Sequence, residues 1–419
     1  MSRAYTVRQG DTFSSISRRM YGDEQYSSNI AEANPGIGAQ PQIGTSIVIP
    51  DVPDLALPSE RARNANLTQD RDEVTLSVNG SVLRFWTAVT ITQHLDAVST
   101  VSFRAPFDPT DRAQREAFRP YGYQPVRIDV GGDLLFTGTE VNPQPTTEES
   151  QRAVRVQCYS TPGVLSDSTP PASAYPLQWD EASLRTIAAD LCRPFGIQVL
   201  FPDGGGSVFE RIAVDPGEKV MNALARLASQ RNLVIRSDEA GRLVFLRPSP
   251  TPSGEPVAEF IEGEQPLVSA VPSFGNQQFY SHVSGISPTI LGLVGPQVTV
   301  RNPHLNGILR PYVYTADDME AVDLQVAVMS KAGRMFADSA TYAVPVPTWR
   351  NANGDLWRVG DLVVLDAPGA MVYGRFTMQI RSIRFTATAA KRTAVLELII
   401  PGTLSGELPE ALPWDDSRL

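Results

Sequence analysis

Beyond Val74 most of the chain alternates apolar and polar residues with a period of two, the signature of half-buried strands. Val74, Leu76 and Val78 alternate up to Asn79-Gly80, a hairpin pair, and Leu83 and Phe85 continue beyond it. Val89-Thr90-Ile91-Thr92 and Val101-Ser102-Phe103 repeat the pattern. Val126, Ile128 and Val130 precede Gly131-Gly132, and Leu134 and Phe136 follow, which predicts a second hairpin. Residues 153–160 add a strand with Val154, Val156 and Cys158 on one face. Short strands with turns at this spacing predict a small barrel or sandwich.

The period then changes. Leu184, Ile187, Ala188 and Leu191 fall at helical spacing after Asp180, read as the cap, with Pro194 as the stop. Ile197, Val199 and Phe201 form a strand broken at Asp203-Gly204-Gly205-Gly206. A second helix spans Glu218 to Arg231 with Val220, Leu224, Leu227 and Ala228 inward, followed by a hairpin over Val234-Ile235 and Leu243-Val244-Phe245. Later come strands at Val257 to Phe260 and Phe279 to Ile286. A helix from about Asp318 to Ala337 carries Leu324, Ala327, Val328, Lys331 and Met335 on one side. Strands follow at Leu362 to Leu365, Arg375 to Phe385 and Thr393 to Ile400, and the tail after Pro401 reads as polar and extended.

Before Val74 the pattern is different again. Tyr5-Thr6-Val7 is a short strand. Asp11 or Thr12 caps a helix carrying Phe13, Ile16 and Met20, which ends at Gly22. Ser27 or Ser28 starts a second helix with Ile30, Ala31 and Ala33 inward, stopped by Asn34-Pro35-Gly36, and Ser46 to Pro50 closes the unit. The prolines and mixed charges of 51–73 read as a linker. The segments are therefore 1–50, a βααβ module; 51–73, a linker; 74–160, a first β-barrel; 161–250, an α/β domain; 251–401, a second β-barrel with an inserted helical segment; and 402–419, a tail. The fold class is α+β, mostly β, with two barrel-like domains flanking and interleaved with small α/β domains. No tandem sequence repeat accompanies this arrangement.

Composition narrows the function. Among 419 residues, 36 basic against 46 acidic side chains leave a net charge of −10, which disfavours non-specific DNA binding and an acidic membrane surface, and no sequence-specific nucleic-acid binding is expected. No run of about 18 apolar residues exists, so no membrane anchor is expected. The start lacks the apolar core of a signal peptide, so synthesis and folding in the cytoplasm are expected. The two cysteines, Cys158 and Cys192, cannot frame a disulfide scaffold and read as buried thiols. His94, His282 and His304 lie far apart without metal spacing. No nucleophile elbow, phosphate loop or dinucleotide fingerprint is present, and Gly204-Gly205-Gly206 lacks the Lys-Ser/Thr that a phosphate loop needs. Neither an enzyme nor a cofactor is indicated.

The opening residues "YTVRQGDTFSSISRRMYG", "IAEANPGI" and "GTSIVIP" resemble the LysM family over the whole βααβ module. That resemblance implies binding of N-acetylglucosamine glycans by the matching positions Gly10, Asp11, Thr12, Phe13, Asn34, Pro35 and Ile37. Each also has a purely structural reading as turn, cap, core residue or helix stop.

The longer body resembles the baseplate hub proteins of contractile-tailed phages, the Mu-like hubs in particular. The matching stretches include "VTLSVNGSVLRFWTAVTITQHLD", "PVRIDVGGDLLFTGTEV", "CYSTPGVLSDSTPP", "IAADLCRPFGIQV" and "GDLWRVGDLVVL", in order from Glu73 to Pro401. The resemblance implies a homotrimer whose subunits each give two similar barrels to a pseudo-sixfold ring. Such a ring meets the tail tube protein on one face and a central spike protein on the other, within the virion's tail baseplate. The fused LysM module departs from many hubs. It either docks to baseplate wedge or sheath proteins or grips peptidoglycan. The rival readings are a LysM-targeted cell-wall hydrolase and an intracellular scaffold.

Overall fold

The computed structural model describes residues 3–21, 27–38, 40–50, 72–83, 85–147, 152–287, 295–316, 321–388 and 390–415. They fall in two compact units, Met1–Glu73 and Val74–Leu419. The expected linker lies outside the described residues up to position 71, as does Gly22.

In the first unit, β1 (Arg3–Thr6) pairs antiparallel with β2 (Ser46–Ile49), from Arg3 opposite Ile49 to Thr6 opposite Ser46. Between them lie α1 (Phe13–Tyr21) and α2 (Ser27–Glu32). The α1 start is closed reciprocally: the Ser15 amide donates to Thr12 Oγ1 (3.1 Å) and the Thr12 amide to Ser15 Oγ (2.8 Å), a capping box with serine in place of glutamate. Val7, Phe13, Ile16, Ile30, Ile47 and Ile49 form the core. Ala31, expected inward, is exposed, because Ile30 alone occupies the buried stripe of this six-residue helix.

The second unit begins with β3 (Val74–Val78), β4 (Ser81–Val82), β5 (Ala88–His94) and β6 (Thr100–Pro106). After α3 (Arg112–Ala117) come β7 (Pro125–Val130), β8 (Asp133–Thr147) and β9 (Arg152–Ser160). Burial follows the alternation that predicted these strands, with Val89, Ile91, Val126, Ile128, Val154 and Val156 inward.

Next come β10 (Gln178–Ala182), α4 (Leu184–Cys192), β11 (Val199–Leu200), β12 (Phe209–Ala213), α5 (Val220–Gln230), β13 (Val234–Ser237) and β14 (Leu243–Leu246). Their core joins Leu184, Ile187, Leu191, Leu224, Leu227 and Phe245. The α4 cap is Ser183, whose hydroxyl accepts from the Thr186 amide at 3.2 Å. Asp180, expected there, lies in β10 and pairs with Arg211 of the antiparallel neighbour β12.

The chain continues through β15 (Glu259–Ile261), β16 (Val271–Phe274), β17 (His282–Ile286), β18 (Gln297–Arg301), β19 (Pro311–Thr315) and α6 (Ala321–Ser339). It ends with β20 (Ala340–Val346), β21 (Leu362–Ala367), β22 (Val372–Thr388) and β23 (Arg392–Ile399). Strands β18-β17-β19 form a separate sheet packed on α6 through Val283, Leu324, Val328 and Ala332. The tail, expected to be extended and polar, is packed instead: Leu404 is 1% and Leu412 3% exposed. Gly333 of α6 meets the Thr403 and Gly406 main chain so closely that a Cβ there would overlap both.

Two barrels were expected, and the described residues form no closed barrel. They make one thirteen-stranded sheet running β16-β20-β23-β22-β5-β6-β9-β8-β7-β3-β4, with β21 pairing β22 and β15 pairing β21. Closing the first body would require β3 or β4 to return to β5. The outer edge of β5 is instead taken by β22, whose seventeen residues reach β21 with one half and β5 with the other.

Candidate functional site

The seven glycan-candidate residues sit at the loop ends of the first unit, and several have internal duties. Gly10 adopts φ +86°, a turn conformation that favours glycine. Asp11 is buried and accepts from the Tyr5 hydroxyl and the Arg8 amide, both at 2.8 Å. Thr12 is the helix cap and Phe13 a core residue. Asn34, also buried, donates to the carbonyls of Ile30 (2.8 Å) and Val48 (2.7 Å), while its Oδ1 accepts from the Val48 amide (2.7 Å). It thereby ties α2 to β2. Pro35 is exposed and Ile37 packs against the core edge.

Elsewhere the chemistry is sparse. Among the described residues, no three of His, Cys, Asp and Glu are grouped to hold a metal, and no helix is long and apolar enough to cross a membrane. Cys158 and Cys192 are buried; burial pushes the Cys192 thiol up to about 12 and Cys158 well above its ordinary range, with the Glu140 charge adding to the latter. His94 lies in β5, where burial lowers its pKa. His282 Nδ1 meets Ser281 Oγ, and His304 Nε2 meets the Pro409 carbonyl. Gly204 and Gly206 take positive φ in a turn packed against Arg185 and Arg231.

What the sheet does carry is a structural duplication. The order β5-β6-β9-β8-β7-β3 recurs as β16-β20-β23-β22-β21-β15. Bulges coincide: β8 slips against β9 between Glu140 and Asn142, and β22 against β23 between Ile380 and Ser382. Aligning the bulges makes Phe136 equivalent to Phe376, Gly138 to Met378 and Glu140 to Ile380. One difference remains: β3 is antiparallel to β7, whereas β15 is parallel to β21.

The two bodies meet where β22 pairs with β5, from Ser382 opposite His94 to Thr388 opposite Ala88. An ionic knot sits at this seam. Arg381, the extra residue of the β22 bulge, donates to Asp96 (3.0 and 2.7 Å) and contacts Asp338 of α6 at 2.7 Å. Beside it, Arg334 of α6 donates to the Leu233 carbonyl (2.7 Å), and burial lowers its pKa to about 10.

The equivalent edges elsewhere are open. Among the described residues, the far half of β8 (142–147) pairs only with β9, and β16 only with β20. Both are solvent-facing: Val271 is 57% and Phe274 38% exposed. Sequence reading identified neither these edges nor Arg381. The available signal was Asn142-Pro143-Gln144-Pro145, since prolines at alternate positions of a strand mark an unpaired edge.

Comparison with known proteins gives these surfaces a context. Residues 163–247 match the family model of the second domain of baseplate hub protein gp44-like proteins, and residues 2–56 match Phage Tail Protein X. The baseplate hub protein gp44 of Escherichia phage Mu is 24% identical over 309 residues, 70% of this chain and 79% of that protein. The 43 kDa tail protein of prophage MuSo2 from Shewanella oneidensis has 26% identity and a TM-score of 0.67, covering 79% of this chain and 99% of that one. A tail protein from Neisseria meningitidis MC58 shares the fold, with a TM-score of 0.66, 17% identity, and coverage of 80% and 98%. The chain is thus homologous to the Mu hub protein over most of both sequences and carries the gp44-like second domain at residues 163–247.

Proposed function

We propose that the protein is one of three identical subunits of a ring at the centre of a contractile tail baseplate. The duplicated six-strand body supports this reading above all. Three chains with two equivalent bodies each supply six quasi-equivalent positions on a true threefold axis. Such a ring adapts a sixfold tail tube protein to a threefold central spike protein. A net charge of −10 suits a conduit that lets DNA pass without holding it. The work is assembly, with no covalent step, begun in the host cytoplasm and retained in the virion. Native mass spectrometry is expected to give three times the 45.6 kDa chain mass. A monomer that persists at micromolar concentration would overturn the ring.

For residues 1–50 we favour LysM-type docking to baseplate wedge or sheath proteins over a grip on peptidoglycan. The supporting observation is that Asp11 and Asn34 spend hydrogen-bonding groups on their own module. On co-sedimentation with purified peptidoglycan, the protein is expected to stay in the supernatant. Pelleting that N-acetylglucosamine oligomers compete away would reverse the assignment and return the seven candidate residues to a glycan site.

A further inference from the structure

We infer that a mixed-charge cleft, where the α/β domain meets the two six-strand bodies, binds a carboxylate-bearing peptide segment of a partner protein. The cleft encloses about 540 Å³, within the range of ligand sites. Three parts of the Val74–Leu419 unit converge on it. Asp133 comes from the start of β8, and Arg236 and Glu239 from β13 and the turn after it. Arg350, Asp355 and Arg358 come from the segment between β20 and β21. Its floor is buried, made by Gln93, Leu135, Leu356 and Trp357.

Arg350 has an internal duty. It donates to Asp133 (3.3 Å) and to the carbonyls of Gly354 (3.1 Å) and Val130 (3.5 Å), which ties the second body to the first. Arg236 and Arg358 have no such duty. Among the described residues, neither guanidinium makes a hydrogen bond or a close ion pair, and Arg358 acts on Asp361 only through space. Glu239 and Asp355 line the same cleft without closing on either arginine. A guanidinium fork matches the two oxygens of a carboxylate, so two uncommitted forks favour an acidic side chain. The acids of the cleft then select among anions. Asp133, Glu239 and Asp355 offset its three arginines, so a phosphate or a nucleic-acid backbone, with its concentrated negative charge, is repelled. A peptide instead offers main-chain amides and basic side chains that the same carboxylates accept. Once bound, it would bridge Arg236 of the α/β domain to Arg358 of the second body. The inference stands apart from the ring reading and needs no second copy of the chain.

The test is fluorescence polarisation of a fluorescein-labelled pentapeptide, two glutamates flanking a lysine between terminal alanines, titrated with the full-length protein. Saturable binding is expected. Arg236→Gln and Arg358→Gln should each weaken it about tenfold, the loss of one charge-assisted hydrogen-bonded contact. Their melting temperatures should stay at the parent value, because neither guanidinium holds the fold together. Glu239→Gln should weaken the peptide as well, while making inorganic phosphate a better competitor. Failure to saturate, or variants that bind as tightly as the parent, would overturn the site. So would inorganic phosphate or a ten-nucleotide oligothymidylate displacing the peptide from the parent protein more effectively than unlabelled peptide does. Native mass separates this outcome from the ring: a trimer that does not bind the peptide loses the cleft alone, and a monomer that binds it loses the ring alone.

Discussion

Glu140→Ile is expected to stabilise the Val74–Leu419 unit, and to do so more at pH 8 than at pH 5. Glu140 is 2% exposed, and neither carboxylate oxygen has a hydrogen-bond partner among the described residues. Burial raises its pKa to about 7. The folded protein therefore holds the proton more tightly than the unfolded chain. The stability tied to the protonated form is complete below the ordinary carboxyl range near 4.5 and is lost as pH rises through about 7. Above that, the fold carries an uncompensated buried charge. The equivalent position in the second body is Ile380, fully buried, so the backbone there accepts isoleucine. Removing an unpaired buried polar group is worth about 1–3 kcal/mol even when it is neutral, and more when it is charged. Thermal melts at the two pH values check this. A larger gain at pH 5, or a loss at pH 8, would mean that the carboxylate is paired in the fold.

Arg381→Met is expected to act in the opposite direction. The substitution keeps the aliphatic stem but strips Asp96 and Asp338 of their shared guanidinium. Asp96 is 17% exposed and lies between the two bodies, so it is left as a poorly solvated charge. Breaking such a pair from one side costs roughly 3 kcal/mol. The double variant Arg381→Met/Asp96→Leu should recover much of the loss, because it removes the orphaned charge as well. Urea denaturation of the single and double variants measures the coupling. If the single variant matched the parent, the knot would contribute nothing to joining the bodies.

The sequence made the strands legible because alternation reports which face of a strand is buried. It says nothing about which edge pairs with which. That is why β5 and β22 were each recognised, yet their union was not, and two barrels were expected where one open sheet exists. The duplication was hidden for a related reason. Equivalent positions such as Gly138 and Met378, or Glu140 and Ile380, share a burial slot and no chemistry. Asp180 and Ser183 were both plausible caps by type, and only the pairing of β10 with β12 removes Asp180 from the helix start. The loop residues of the first unit were legible as a motif. Their hydrogen bonds, such as those from Asn34 to Val48 fourteen residues on, were not.

The seam between β5 and β22 also sets a timetable. Val89 and Ile91 of β5 leave the ribosome nearly 300 residues before their partners Ala387 and Phe385. At 5–20 residues per second, the wait is roughly 15 to 60 s. The edges of β8 and β16 carry prolines, whereas β5, Ala88-Val89-Thr90-Ile91-Thr92-Gln93-His94, has none. Throughout that interval the outer edge of β5 waits without its partner and without a proline to shield it, so chaperones have most to protect until β22 has been made.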